Sequence, residues 1–134
     1  MTTLGGKPLS VCKYHMAPRH WQLRNADPKA VRYGKVEAVP RAYAPRDVVR
    51  VGCQAARLVG DGLYGVDIKD TPAGPLVIEV NDNPNIDTGY DDAADGNVIY
   101  EELVDRFLAS IEKKRRPHEA ARPPAKAPAD PILA

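Results

Sequence analysis

Long apolar runs are missing from this 134-residue sequence. A bilayer-spanning helix needs about 20 consecutive apolar residues, and no stretch here exceeds a few. Cysteine is nearly absent as well. Cys12 and Cys53 are the only two, too few for a disulfide framework and without the paired spacing of a zinc site. Two reduced thiols in a cytoplasmic setting are the expectation. Met1–Val11 lacks a charged segment followed by a long apolar core, so no secretory signal is expected. There is no Asn-x-Ser/Thr sequon and no internal repeat. One tryptophan and a net charge of +1, from 19 basic and 18 acidic side chains, argue against a nucleic-acid partner.

The charge that is present is unevenly placed. Residues 1–66 carry eleven basic and four acidic side chains, whereas 67–95 carry one basic and eight acidic. That excess of carboxylates marks 67–95 as the segment to interrogate. The length fits one domain. The body is expected to span 1–116. Residues 117–134, with five prolines and six alanines, read as a flexible tail because proline removes donors and stops helices. Lys113–Arg116 read as a solvated helix end favoured by the macrodipole, with phosphate contact as the alternative.

Within the body, Pro8–Tyr14 alternates like a strand, with Leu9, Val11 and Lys13 on one face and Ser10, Cys12 and Tyr14 on the other. A turn-rich stretch from Ala17 to Asp27 follows, and Val31–Val39 reads as a second strand. After Pro45, the residues Val48, Val49, Ala55, Ala56 and Val59 recur at helical spacing up to the stop at Gly60-Asp61-Gly62. Leu63–Lys69 and Leu76–Asn81 alternate around a Thr71–Pro75 turn, which predicts a hairpin. A second helix is expected from Asn97 to about Lys114, with Val104, Leu108 and Ile111 on one stripe beside Tyr100, Leu103 and Phe107. The expected fold class is α+β: a mostly antiparallel sheet with covering helices.

Pairing the hairpin with Lys69 opposite Val77 places Asp67 opposite Glu79 and Gly65 opposite Asn81. Asp67, Glu79 and Asn81 then share one face, while Tyr64, Val66, Ile68, Leu76, Ile78 and Val80 point into the core. Opposed carboxylates repel unless a cation lies between them. A hard divalent ion such as Mg2+ or Mn2+ suits two acids and an amide oxygen. The alternative pairs Asp67 with Lys69 or Lys13 and leaves Glu79 solvated. The following Asn/Asp-rich loop is not an EF-hand. Counted from Asp82, position six is Asp87 rather than glycine and position twelve is Ala93 rather than glutamate; counted from Asp87, position six is Asp92.

The segments Gly60–Lys69 (GDGLYGVDIK) and Leu76–Ala93 (LVIEVNDNPNIDTGYDDA) together resemble the C-terminal part of the ATP-grasp fold, in its RimK-like branch of glutamate ligases. The matching signature is Asp67, then Glu79-x-Asn81, then Pro84. Gly5–Met16 (GGKPLSVCKYHM) is similar to the sheet preceding that signature. The resemblance spans roughly residues 5–115 and implies Mg2+ or Mn2+ held by Asp67, Glu79 and Asn81 against ATP. It also implies Lys13 near the transferred phosphate, and Asn83, Asn85 and Asp87 along the acceptor side. Arg19, His20 and Trp21 are weaker acceptor contacts. The implied reaction joins a carboxylate to an amine through an acylphosphate. The family's upstream nucleotide-gripping subdomain has no counterpart here, since Gly5-Gly6-Lys7 lacks the other glycine and the trailing Ser/Thr of a P-loop. The chain is therefore expected to act as a fragment or as half of a split enzyme, with a complementary upstream chain or as a homo-oligomer. A non-catalytic interaction module built on the same sheet is the alternative.

Overall fold

The computed structural model describes residues 1–16, 24–27 and 30–120. Eight strands and two helices are arranged as α+β. They are β1 (Thr2–Leu4), β2 (Lys7–Ser10), β3 (Cys12–Tyr14), β4 (Arg24–Asp27), β5 (Ala30–Tyr33), β6 (Val36–Ala38), α1 (Arg46–Val59), β7 (Leu63–Thr71), β8 (Gly74–Asn81) and α2 (Val98–Ala120). The main sheet has the order β2-β1-β7-β8, with β3-β6 and β4-β5 as separate two-stranded ribbons. Every strand pairing among the described residues is antiparallel.

Gly5 and Gly6 make the turn between β1 and β2, at φ +58° and +69°. Two consecutive left-handed residues form the tight hairpin turn whose twist suits a sheet. A Gly-Gly pair between Thr2–Leu4 and Lys7–Ser10 is thus a hairpin signal, and it accounts for a strand that the alternation pattern alone leaves out. The expected strand Pro8–Tyr14 is interrupted at Val11, with β2 in the main sheet and β3 paired to β6. The expected strand Val31–Val39 likewise divides into β5 and β6 around Gly34 and Lys35.

α1 starts directly after Pro45, which needs no N–H there, and stops at Gly60, whose N–H bonds the Ala56 carbonyl at 3.0 Å. Its buried face consists of small residues, Gly52, Cys53 and Ala56. Smallness lets the helix lie close on the sheet: a Cβ on Gly52 would sit 2.9 Å from the Ile68 side chain. Leu9, Val66 and Ile99 are fully buried and anchor the core.

Three expectations about apolar residues require correction. Val59, expected on the periodic stripe of α1, is 56% exposed at the last turn of the helix. Leu76 and Ile78, assigned to the core, are 59% and 63% exposed. The cause is an irregularity in the β7–β8 ladder between Asp67 and Ile68, after which Ile68 pairs with Val77 and Lys69 with Leu76. One extra residue in β8 reverses the alternation beyond it. The stripe on α2 is also exposed, because only its beginning is seated, through buried Ile99. The helix runs past Arg116 and across Pro117 to Ala120, and residues 121–134 of the expected tail lie outside the described residues. No helix among the described residues is long and apolar enough to cross a membrane.

Arg41 fixes α2 to the body. Its guanidinium meets both Glu102 carboxylate oxygens at 2.9 Å, lies 3.3 Å from Asp95 and donates to the Pro8 carbonyl at 3.4 Å. Farther along, Arg106 pairs with Asp61, which is 77% exposed. Because the Arg41 cluster is less exposed and multiply bonded, Arg41→Ala is expected to cost about 1–2 kcal/mol, and Arg106→Ala under about 1 kcal/mol. Urea denaturation midpoints test this order, and equal losses would contradict it.

Candidate metal and anion cleft

On the face of the sheet opposite α1, side chains from β7 and β8 open into a cleft of about 260 Å3. Asp67 lies directly across from Glu79, and Gly65 across from Asn81. The pairing that matters for the site is therefore the one the hydrophobic pattern specifies, since the irregularity falls beyond it. Gly65 is needed by space: a Cβ there would stand 3.1 Å from the Pro84 Cβ. That close approach folds the Asp82–Asp87 loop over the strand end. The Asn81 side-chain oxygen accepts the Asn83 N–H at 2.9 Å, an Asx turn that starts the loop.

Asp67, Glu79, Asn81, Asn85 and Asp87 all line this cleft. Asn83 is exposed and does not line it. Lys13 is exposed on β3 opposite Glu37 and is likewise outside the lining. Arg19, His20 and Trp21 lie outside the described residues. Beyond the expected set, the lining also includes Met1, Thr2, Cys12, Tyr14 and Asp91, with Gly65 and Pro84 at the strand end. The placement of Cys12 and Tyr14 on a shared strand face was visible in the alternation. What was not visible is that β3 borders the carboxylates, since this depends on a contact far along the chain.

Asp91 joins the parts. One of its oxygens accepts the Ser10 hydroxyl at 2.9 Å and the Cys12 thiol at 3.6 Å, and the other accepts the Asp87 N–H at 2.9 Å. The Cys12 thiol also reaches the Tyr90 carbonyl at 3.6 Å. Burial first, then the neighbouring Asp91 charge, pushes the Cys12 thiol up to about 11. Burial also raises the Tyr14 phenol, with Cys12, Asp91, Asp67 and Asp87 adding to the effect. Neither group is a ready nucleophile near neutrality.

The lining is oxygen-rich, with Asp67, Glu79, Asp87 and Asp91 and no Lys or Arg among its described residues. Its cationic group is the Met1 ammonium, which donates to the Val66 carbonyl at 2.9 Å and whose pKa is lowered by burial against the opposing pull of Asp67 and Asp91. No ion pair joins Asp67 or Glu79 to a cationic side chain among the described residues. Nor, among the described residues, does any group of three or more His, Cys, Asp or Glu side chains come together in a way that could hold a metal ion. Two opposed carboxylates and an amide oxygen nevertheless match what Mg2+ takes from protein when waters and phosphates supply the rest. No protein-family model matches the chain, and no curated protein matches it significantly.

Because Cys12 titrates near 11 rather than 9.0, its alkylation at pH 8 is expected to run about a hundred times slower than that of an ordinary thiol. Asp91→Asn, which removes the like charge, should speed it. Mass-spectrometric rates at each cysteine check this, and fast modification of Cys12 in the folded chain would contradict the assignment.

Proposed function

We propose that this chain is the C-terminal part of an ATP-grasp fold and takes part in Mg2+-dependent, ATP-driven joining of a carboxylate to an amine. It does so as a fragment or as half of a split enzyme. The observation carrying this reading is the opposition of Asp67 to Glu79 with Asn81 on the same face of one cleft. Asp67, Glu79 and Asn81 are the residues that would hold the ion. A bound divalent cation would neutralise the carboxylates and let phosphate oxygens approach a lining that otherwise repels them. Phosphoryl transfer asks the protein mainly for positioning and charge neutralisation, which suits a cleft made from rigid strands.

The chain's own residues have separable tasks in this scheme. β7 and β8 hold the two carboxylates at fixed spacing. Gly65 leaves room for Pro84 to bring the loop down, and Asp91 secures that loop to β2 and β3 through Ser10, Cys12 and the Asp87 N–H. Asn85 and Asp87, which line the cleft, would meet the acceptor amine in this scheme. Lys and Arg are not among the described lining residues; in this scheme a complementary chain or a second copy contributes the phosphate-gripping side chains. The exposed apolar stripe on α2 favours a second reading, an interaction module that keeps the sheet without the chemistry.

Calorimetric titration with Mg·ATP separates the two. Saturable binding that needs Mg2+ and disappears in the Asp67→Asn/Glu79→Gln variant is the expected outcome. A well-folded chain that gives no heat with Mg·ATP, alone or after the variant change, would favour the interaction module.

A further inference from the structure

The apolar stripe of α2 lies on the side of the helix turned away from the body. Ile99 is buried, and Leu103, Arg106 and Ser110 are half-buried, which defines the inward side. Val104, Phe107, Leu108 and Ile111 are 55%, 49%, 53% and 54% exposed. At 3.6 residues per turn they centre roughly 120° round the axis from the inward side. They occur at the spacing of a helix-pairing seam, i, i+3, i+4 and i+7. The residues from Ile111 to Arg115 are all exposed, so that part of the helix stands clear of the fold.

Charge indicates what covers this seam. Glu101 and Asp105 are exposed at the N-terminal end of the stripe, and Lys113, Lys114 and Arg115 at the C-terminal end. A parallel partner of the same sequence would set acid against acid and base against base. An antiparallel copy does the reverse. Centred on Leu108, it brings Val104 towards Ile111 of the second copy and Glu101 towards Arg115 of the second copy. Glu101 and Arg115 lie on the same side of the seam, which is the side shared by facing helices in an antiparallel pair. Two such contacts arise by symmetry, as an isologous interface requires.

We propose that α2 pairs antiparallel with α2 of a second copy of this chain, through Val104, Phe107, Leu108 and Ile111, with Glu101 and Arg115 setting the direction. The inference is independent of the metal reading, because none of these residues lines the cleft. A seam of four residues per copy is small beside the roughly 1,200 Å2 of a standard interface. The dimer is therefore weak and concentration-dependent.

Sedimentation equilibrium of the full chain, from micromolar to millimolar, is the test. The expected result is a monomer–dimer equilibrium that Leu108→Glu abolishes while the circular dichroism spectrum stays unchanged. Glu101→Arg is expected to raise the dissociation constant about tenfold, and adding Arg115→Glu should restore it. A chain that remains monomeric at millimolar concentration would overturn the proposal and leave the seam to a different protein or to the chain's own C-terminal residues. Self-association insensitive to Leu108→Glu, or reversal without rescue, would overturn it too.

Discussion

The antiparallel register of β7 on β8 is the constraint from which the other features follow. Asp67 opposite Glu79 is unfavourable in itself, since like charges facing across strands cost roughly 0.2–1 kcal/mol. The pairing persists because a one-residue slip would turn Val66, which is fully buried, out of the core and drive both carboxylates under α1. Burying two unpaired charges costs far more than their mutual repulsion at an open face. Hydrophobic burial on one side of the sheet therefore dictates electrostatic frustration on the other.

The remaining parts of the cleft come from segments distant in the chain. β1 pairs with β7, placing Thr2 beside Gly65, and Asp91 draws the loop after β8 against Ser10 and Cys12. The arrangement is mainly polar, and it is closed by hydrogen bonds together with the close approach of Pro84 to Gly65. No buried side-chain nitrogen or oxygen lacks a partner among the described residues, so the loop is held without unsatisfied groups. Arg41 does the equivalent work at the start of α2, linking that helix to β2 and to the end of the same loop through Glu102, Pro8 and Asp95. Loop, helix and strand end are thus held by a few hydrogen bonds and ion pairs, while Ile111–Arg115 are exposed and make no ion pair among the described residues.

Much of the local structure was legible because it is governed by local rules. The existence of α1, its glycine stop and the β7–β8 hairpin follow from periodicity and turn chemistry, whereas the face that α1 buries, Gly52, Cys53 and Ala56, shares only Ala56 with the periodic apolar set. The Asp67–Glu79 and Gly65–Asn81 pairings were readable for the same reason. The bulge that exposes Leu76 and Ile78 was not, because alternation continues unbroken in the sequence and only the paired strand reveals the extra residue. The position of β1 between β2 and β7 depends on a pairing some sixty residues apart, for which alternation carries no signal. Asp91 stands in an Asn/Asp-rich loop where every residue looks like a turn former. Its role emerges only once Ser10 and Cys12 are brought alongside. The exposed seam on α2 was legible as an apolar stripe, and its lack of cover was not, since periodicity says which side is apolar but not what meets it.

The central claim is that the opposed carboxylates on β7 and β8 form a divalent-cation site. Paramagnetic line broadening by Mn2+ in the amide spectrum of the chain tests it most directly. At substoichiometric Mn2+, the amides of Gly65–Asp67, Glu79–Asn81 and the adjoining loop should broaden first. Excess Mg2+ should reverse the effect, and Asp67→Asn/Glu79→Gln should remove it. Broadening spread evenly over the acidic surface, or unchanged in that variant, would contradict the account.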